Sequence, residues 1–173
     1  MCTIVQMGEP VLRGRAAHVP VNDIDGKHIQ KILKRMEEAL DAEPDGAALA
    51  APQIGVPLRI FILSRKVFAP KDVREAGDTH FVFINPTIIR RSKRKHRVDE
   101  GCLSVRGKYG TIVRSTNVTI EAYDEQGSRF TRGAGGLMAQ AFQHETDHLD
   151  GVLFVDKANE LWDVAVRNDS AKN

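Results

Sequence analysis

The sequence predicts an α+β fold, and three observations carry that prediction. Two segments show helical periodicity and stand well apart. The segments between them read as strands that succeed one another through turns. No repeat, low-complexity tract or linker divides the chain. The first helix is read over 25–42, where Ile29, Ile32, Leu33, Met36 and Leu40 recur at three- and four-residue steps and form one apolar face. Glu43-Pro44-Asp45-Gly46 ends it. A loop of small residues follows over 46–55. Residues 58–63 read as a buried strand, 71–79 as a polar surface loop, and 81–89 as a strand in which Asn85-Pro86 places an edge or bulge. From Thr111 the pattern alternates. Val118, Ile120 and Ala122 face one way, and Asn117, Thr119, Glu121 and Tyr123 the other. Asp124-Glu125-Gln126-Gly127 is a turn into a short return strand. Gly133-Ala134-Gly135-Gly136 is expected to break the chain and open a second helix over 137–149, closed by Asp150-Gly151. Residues 152–155 read as one more strand, and a short segment around Leu161-Trp162 follows.

Length and composition narrow the class. The 173 residues fit one domain, 1–173, large enough to bury a real core. Hydrophobic residues at 42% and charged residues at 28% are ordinary for a soluble globular chain. No apolar run is long enough to span a bilayer. The first residues lack both a basic region and a long apolar stretch, so a cytoplasmic protein is expected rather than a secreted one. Two cysteines, Cys2 and Cys102, exclude a disulfide scaffold. The net charge of +2 implies no nucleic-acid partner by itself, and no DNA or membrane partner is expected. The charge is unevenly placed, however. Arg90, Arg91, Lys93, Arg94, Lys95, His96 and Arg97 form a dense basic stretch broken only by Ser92. It reads as a solvated hairpin or as a contact for a phosphate backbone such as ribosomal RNA.

The chemistry is concentrated in His144-Glu145-Thr146-Asp147-His148, an HExxH pattern on the second helix. Residues four apart lie on one helix face, so the two imidazoles can grip one ion while Glu145 acts on its water. Leu137, Gln140, Ala141, His144 and His148 form one stripe, which suggests a buried site with a wall beside it. A catalytic site of this kind needs a third protein ligand and an open position. The longer HExxHxxGxxH pattern fails, because Gly151 takes its glycine but Phe154 stands where its last His belongs. Glu160 follows too closely to come from a later helix, and Asp147 points to another face. Cys102 and Cys2 remain as soft ligands. Cys102 sits in Glu100-Gly101-Cys102-Leu103-Ser104, where Gly101 allows close backbone approach. A Cys/His/His set suits Zn2+ or Fe2+ better than Mg2+ or Ca2+.

Three segments together resemble the peptide deformylases: 46–53, ending in Pro52-Gln53; Glu100-Gly101-Cys102-Leu103-Ser104; and Gln143-His144-Glu145-Thr146-Asp147-His148-Leu149-Asp150-Gly151. Pro10-Val11-Leu12-Arg13 and Gly151-Val152-Leu153-Phe154-Val155-Asp156 also match that family, in its order, from near residue 4 to about 156. The resemblance implies antiparallel β-sheets packed around a central metal-binding helix, plus an N-terminal helix. It implies a bacterial enzyme that removes the N-formyl group from the initiator methionine of nascent chains, or a related metallohydrolase acting on another small amide or peptide. Cys102, His144 and His148 would hold one divalent ion, Fe2+ in the cell, with Zn2+ or Ni2+ as alternatives. Glu145 would be general base and then acid, and Gln53 with the backbone N–H of Leu103 would hold the developing oxyanion. Ala47, Ala48 and Gly101 would pair with the extended substrate, and Leu137, Gln140 and Ala141 would wall the methionine pocket. Glu100 and Arg114 match a pair able to brace the Cys102 segment. The sequence departs from the family at Ala48, where a second glycine is usual, and at Arg106, where proline is common. No counterpart of the longer basic C-terminal helix of some members is expected in the residues after Asp156. The basic stretch from Arg90 to Arg97 is expected to serve instead as the surface facing the ribosome.

Overall fold

The computed structural model describes residues 3–68 and 80–164. Cys2 and the loop expected over 71–79 lie outside them. Helix α1 spans Lys27–Asp41 and buries Ile29, Ile32, Leu33, Met36 and Leu40, the face read from the periodicity. After it come strand β1 (Ala48–Ala50), a 3-10 turn (Ala51–Ile54), strand β2 (Ile60–Ser64) and a four-residue helix, α2 (Arg65–Phe68). Strands β3 (His80–Arg91), β4 (Lys95–Gly101), β5 (Lys108–Ser115), β6 (Asn117–Tyr123) and β7 (Arg129–Gly135) lead into helix α3 (Gly136–Leu149). A 3-10 turn (Phe154–Asp156) and strand β8 (Glu160–Asp163) follow. The strands form two antiparallel sheets, ordered β1-β2-β3-β6-β7 and β4-β5-β8, which makes this a mixed α/β fold with few helices.

All five residues of β2 are buried because both of its faces are covered. Ile60 and Ile62 join Ile29, Ile32, Leu33 and Met36 in the core beneath α1. Phe61 and Leu63 point the other way, into the core that holds Phe83 and Phe142 of α3. Phe61 stacks on Phe83 at 4.6 Å, and Phe142 meets Phe83 edge-on at 5.0 Å, so α3 is locked to the sheet by aromatic contact. Helix α3 touches β1, β3, β6 and β7 of one sheet and β5 of the other. The register of β3 on β6 shifts between Ile84 and Thr87, the bulge expected at Asn85-Pro86. Asn85 adopts φ 52 and brackets Val19, accepting its N–H at 2.8 Å and donating to its carbonyl at 2.7 Å.

The structure corrects the sequence reading in four places. The strand expected over 152–155 is a turn. The Asp156 carboxylate accepts the N–H of Leu153 at 2.9 Å and folds this stretch back on itself, outweighing its β-branched composition. Gly133, Ala134 and Gly135 do not break the chain, because they pair with Thr119, Val118 and Asn117 as the end of β7. The break comes at Gly136, at φ 54. The small-residue loop contains β1, whose pairing with β2 needs no side-chain signal. The segment around Leu161-Trp162 is β8, held by backbone bonds to Lys108–Thr111 of β5.

Candidate metal centre and cleft

Helix α3 places His144 and His148 on one face, with ring centroids 4.9 Å apart. Its C-terminal end is held from outside. Leu149 O accepts the N–H of Ala16 at 2.9 Å and Nη1 of the buried Arg59 at 3.3 Å, and Arg59 also reaches Asp150 Oδ1 at 2.8 Å. The end of β4 brings Cys102 up to the helix, with Cys102 Sγ 3.2 Å from His148 Nε2. One donor atom from each of Cys102, His144 and His148 lies within 4.8 Å of the others.

The donor set fits a soft divalent ion. Bonds of roughly 2.0–2.3 Å to nitrogen and sulfur place tetrahedral ligands a little over 3 Å apart. His144 Nδ1 is 2.9 Å from Glu100 Oε2, which leaves Nε2 for an ion and fixes the ring. Two N–H groups point at the sulfur, from Ser104 N at 3.4 Å and from Gln53 Nε2 at 3.6 Å. One oxygen of the buried Glu145, Oε2, has no hydrogen-bond partner among the described residues. A buried, unpartnered carboxyl oxygen beside three donors is what an ion-bound substrate site would satisfy.

The electrostatics follow from burial and a chain of charges. Glu100 is buried, and burial alone would raise its carboxyl. The bonds from Arg114 and His144 outweigh that and hold it at about 2. Arg114 grips both Glu100 oxygens, Nε to Oε1 and Nη2 to Oε2 at 2.8 Å each, and reaches Asp147 Oδ2 through Nη1 at 2.6 Å. Asp147 therefore points away from the centre, as the sequence suggested, and also accepts Lys157 Nζ at 2.6 Å. Glu145 is pushed up to about 7 by burial, against the pull of His144. Burial lowers both imidazoles. It takes His148 well below the ordinary range, while the bonds to Cys102 and Glu100 carry His144 well above it.

A cleft of about 740 Å³ ends at this centre. Ala47, Ala48, Gly101, Leu137, Gln140 and Ala141 all line it, with Gln53, Cys102, Leu103, His144 and Glu145. β1 and β4 are edge strands of their sheets, and residues of both line the cleft. A Cβ at Gly101 would lie 2.7 Å from the half-exposed Tyr109 ring and would push it aside. Gln140 is tied by Nε2 to Asp99 O at 2.9 Å. Phe154, absent from the ligand set, stacks on His144 at 6.4 Å and packs with Val105 and Leu153 over Cys102. Glu160 is exposed on β8 and pairs with Arg97. Sequence reasoning assigned no role to Ser104, which is fully buried and accepts Gln53 Nε2 at 3.2 Å, although its place two residues after Cys102 was a usable signal. It also missed Glu43, which crosses the cleft mouth to Arg106 at 2.5 Å; no local pattern announces that pair.

A cleft that ends at one thiol and two imidazoles, with a buried carboxyl beside them, is the arrangement of a metal-dependent enzyme. The chain belongs to the polypeptide deformylase family, whose model matches residues 1–163. It is 43% identical over 162 residues to peptide deformylase 1A, chloroplastic/mitochondrial, of Arabidopsis thaliana, covering 89% of this chain and 60% of that one. It is 42% identical over 153 residues to a peptide deformylase of Dehalococcoides mccartyi, covering 88% and 83%. The crystal structure of a probable peptide deformylase from Synechococcus phage S-SSM7 superposes with a TM-score of 0.80 at 31% identity, covering 91% of this chain and 99% of that one. The chain thus spans about 60% of the length of the plant relatives it matches.

Proposed function

We propose that this chain, as a single deformylase-like domain over 1–173, removes the N-formyl group from formylmethionyl nascent peptides and releases formate. The observation that carries the reading is the convergence of Cys102, His144 and His148 within 4.8 Å, beside the unpartnered oxygen of Glu145. These three residues would hold one divalent ion, with α3 as the metal-bearing helix about which the sheets pack. The thiolate and two imidazoles suit Fe2+ as the ion in the cell, with Zn2+ or Ni2+ able to replace it. When bound, such an ion supplies Lewis acidity that makes water nucleophilic at neutral pH.

Glu145, held near neutrality by burial, takes a proton from the attacking water and returns it to the leaving amine. The N–H of Leu103 and Nε2 of Gln53 are the donors for the oxyanion. Gln53 is oriented for this by Ala50 N, which donates to its Oε1 at 2.8 Å. Ala48 on one edge strand, with Ala47 just before it, and Gly101 on the other would hold the extended peptide by strand addition. Leu137, Gln140 and Ala141 would wall the methionine side chain. Among the described residues no helix is long and apolar enough to cross a membrane. A cytoplasmic site of action is proposed, with the ribosome, where such peptides emerge, as partner.

The test is formate release from formyl-Met-Ala-Ser by the Fe2+- or Ni2+-loaded protein. Absence of turnover at full metal occupancy would overturn the activity. Turnover that survives Glu145→Ala would overturn the role of Glu145. Cys102→Ala should lose stoichiometric metal, and metal retained would show a different third ligand.

A further inference from the structure

The β3–β4 turn carries a surface that the deformylase chemistry does not use. Arg90, Arg91, Lys93, Arg94, Lys95 and Arg97 are all exposed. Arg97 approaches Glu160 at 3.8 Å, and among the described residues no acid pairs with the other five. Like charges this dense repel one another, and three hydrogen bonds pin the turn against that repulsion. Ser92 N donates to Asn117 O at 2.9 Å, Thr116 N to Arg94 O at 3.0 Å, and Ser92 Oγ to Arg94 O at 2.8 Å. β3 and β4 also belong to different sheets, so both sheets brace the turn. Beside it lies an open trough of about 480 Å³, lined by Arg90, Ser92, Asn117, Thr119, Gly133 and Gly135. Both glycines are exposed, and the Asn117 amide and Thr119 hydroxyl lie beside them, 2.9 and 3.9 Å from where a Cβ would stand on Gly135 and Gly133.

We propose that this turn and trough form a docking surface for the backbone of double-helical RNA. A rigid row of unpaired cations is the complement of a phosphate backbone. The segment 88–97 contains no Phe, Tyr or Trp on which unstacked bases could lie, and its one ring, His96, is half-buried, which favours a duplex over a single strand. Asn117 and Thr119 offer an amide and a hydroxyl beside the cations. The wide, shallow minor groove of A-form RNA presents 2′-hydroxyls to such groups, and B-form DNA does not. Lys95 opens β4 and Asp99 is the first residue of that strand to line the cleft, so the turn sits roughly 13 Å along the strand from it, at about 3.3 Å per residue. RNA bound there leaves the cleft open to a peptide.

The surface can be tested without turnover, so its failure and that of the deformylase reading are separable. The metal-loaded full chain is titrated by fluorescence anisotropy against a 16-base-pair RNA duplex, the same sequence as DNA, and phosphatidylserine-containing vesicles, between about 50 and 200 mM salt. The RNA duplex should bind most tightly, with affinity falling steeply as salt rises. Charge reversal, R91E/K93E/R94E, should weaken RNA binding at least tenfold and lower the salt slope by roughly 3, about one for each phosphate no longer neutralised, with an unchanged circular dichroism spectrum. N117A/T119A should lose the preference for RNA over DNA while keeping the salt slope. No RNA binding by the parent, or unchanged binding after charge reversal, overturns the proposal. Equal or tighter binding to DNA or to the vesicles overturns the assignment to RNA.

Discussion

Arg114 sits where stability and metal binding meet, and replacing it separates the two. In the structure its side chain and that of Glu100 are 5% and 2% exposed, and two parallel hydrogen bonds join them. Arg114→Met strands the Glu100 carboxylate in the interior with only His144 as partner. Breaking a buried pair from one side costs about 3–5 kcal/mol, because the remaining charge loses its compensation without regaining water. For a chain of this length each kcal/mol moves the thermal midpoint by about 2–4 °C, so the metal-free variant should melt roughly 6–20 °C below the parent. The double variant E100L/R114M removes both charges, and its midpoint should return to near the parental value. It also removes the acceptor at His144 Nδ1, so its affinity for Zn2+ or Ni2+, measured by competition with a chromophoric chelator, should stay about 10–100-fold below the parent. A midpoint for Arg114→Met within about 2 °C of the parent would refute the claim that the pair is desolvated. Parental metal affinity in the double variant would refute the claim that Glu100 orients His144.

Gly151→Ala should destabilise the protein strongly. Gly151 adopts φ 76, and a Cβ there would lie 2.5 Å from Arg13 O, so a loss on the order of 2 kcal/mol or more is expected by urea unfolding; a loss below about 0.5 kcal/mol would contradict the packing of the N-terminal segment on the end of α3. Ala48→Gly should lower KM for formylated tripeptides severalfold by clearing the methyl from the cleft edge, at about 0.5–1 kcal/mol of stability; an unchanged KM would place the peptide elsewhere. The Arg13 guanidinium first, then the Leu153 N–H, hold the Asp156 carboxyl below the ordinary range. Its contribution is therefore complete above the ordinary carboxylate range and lost as pH falls through the lowered value. Because the pair is half-exposed, the effect is at most about 1 kcal/mol. Asp156→Asn should flatten the acid limb of the stability profile by that amount, and an unaltered limb would show that the pair contributes nothing.

Much of the fold was legible along the chain, and the residues say why. The face of α1 could be read because Ile29, Ile32, Leu33, Met36 and Leu40 repeat at the helical period, and local geometry alone puts them on one side. The unbroken apolar run of β2 could be read as a strand covered on both faces. The glycines of β7 and the turn at Phe154–Asp156 were misread, because pairing with β6 and an acceptor at Asp156 override what glycine and β-branched residues prefer in isolation.

The same division runs through the site. The sequence alone was enough to put His144 and His148 on one helix face with Glu145 beside them, since four residues are about one helical turn. It also placed the chain in its family through motifs kept in order. Folding, and no local pattern, brings Cys102 to 3.2 Å of His148, sets Arg114 and Glu100 to orient His144, and lets Glu43 and Arg106 meet across the cleft. Those contacts join residues 14 to 63 positions apart. Strand register and the contacts of α3 with strands of both sheets bring them together, and neither can be read from a local stretch of chain.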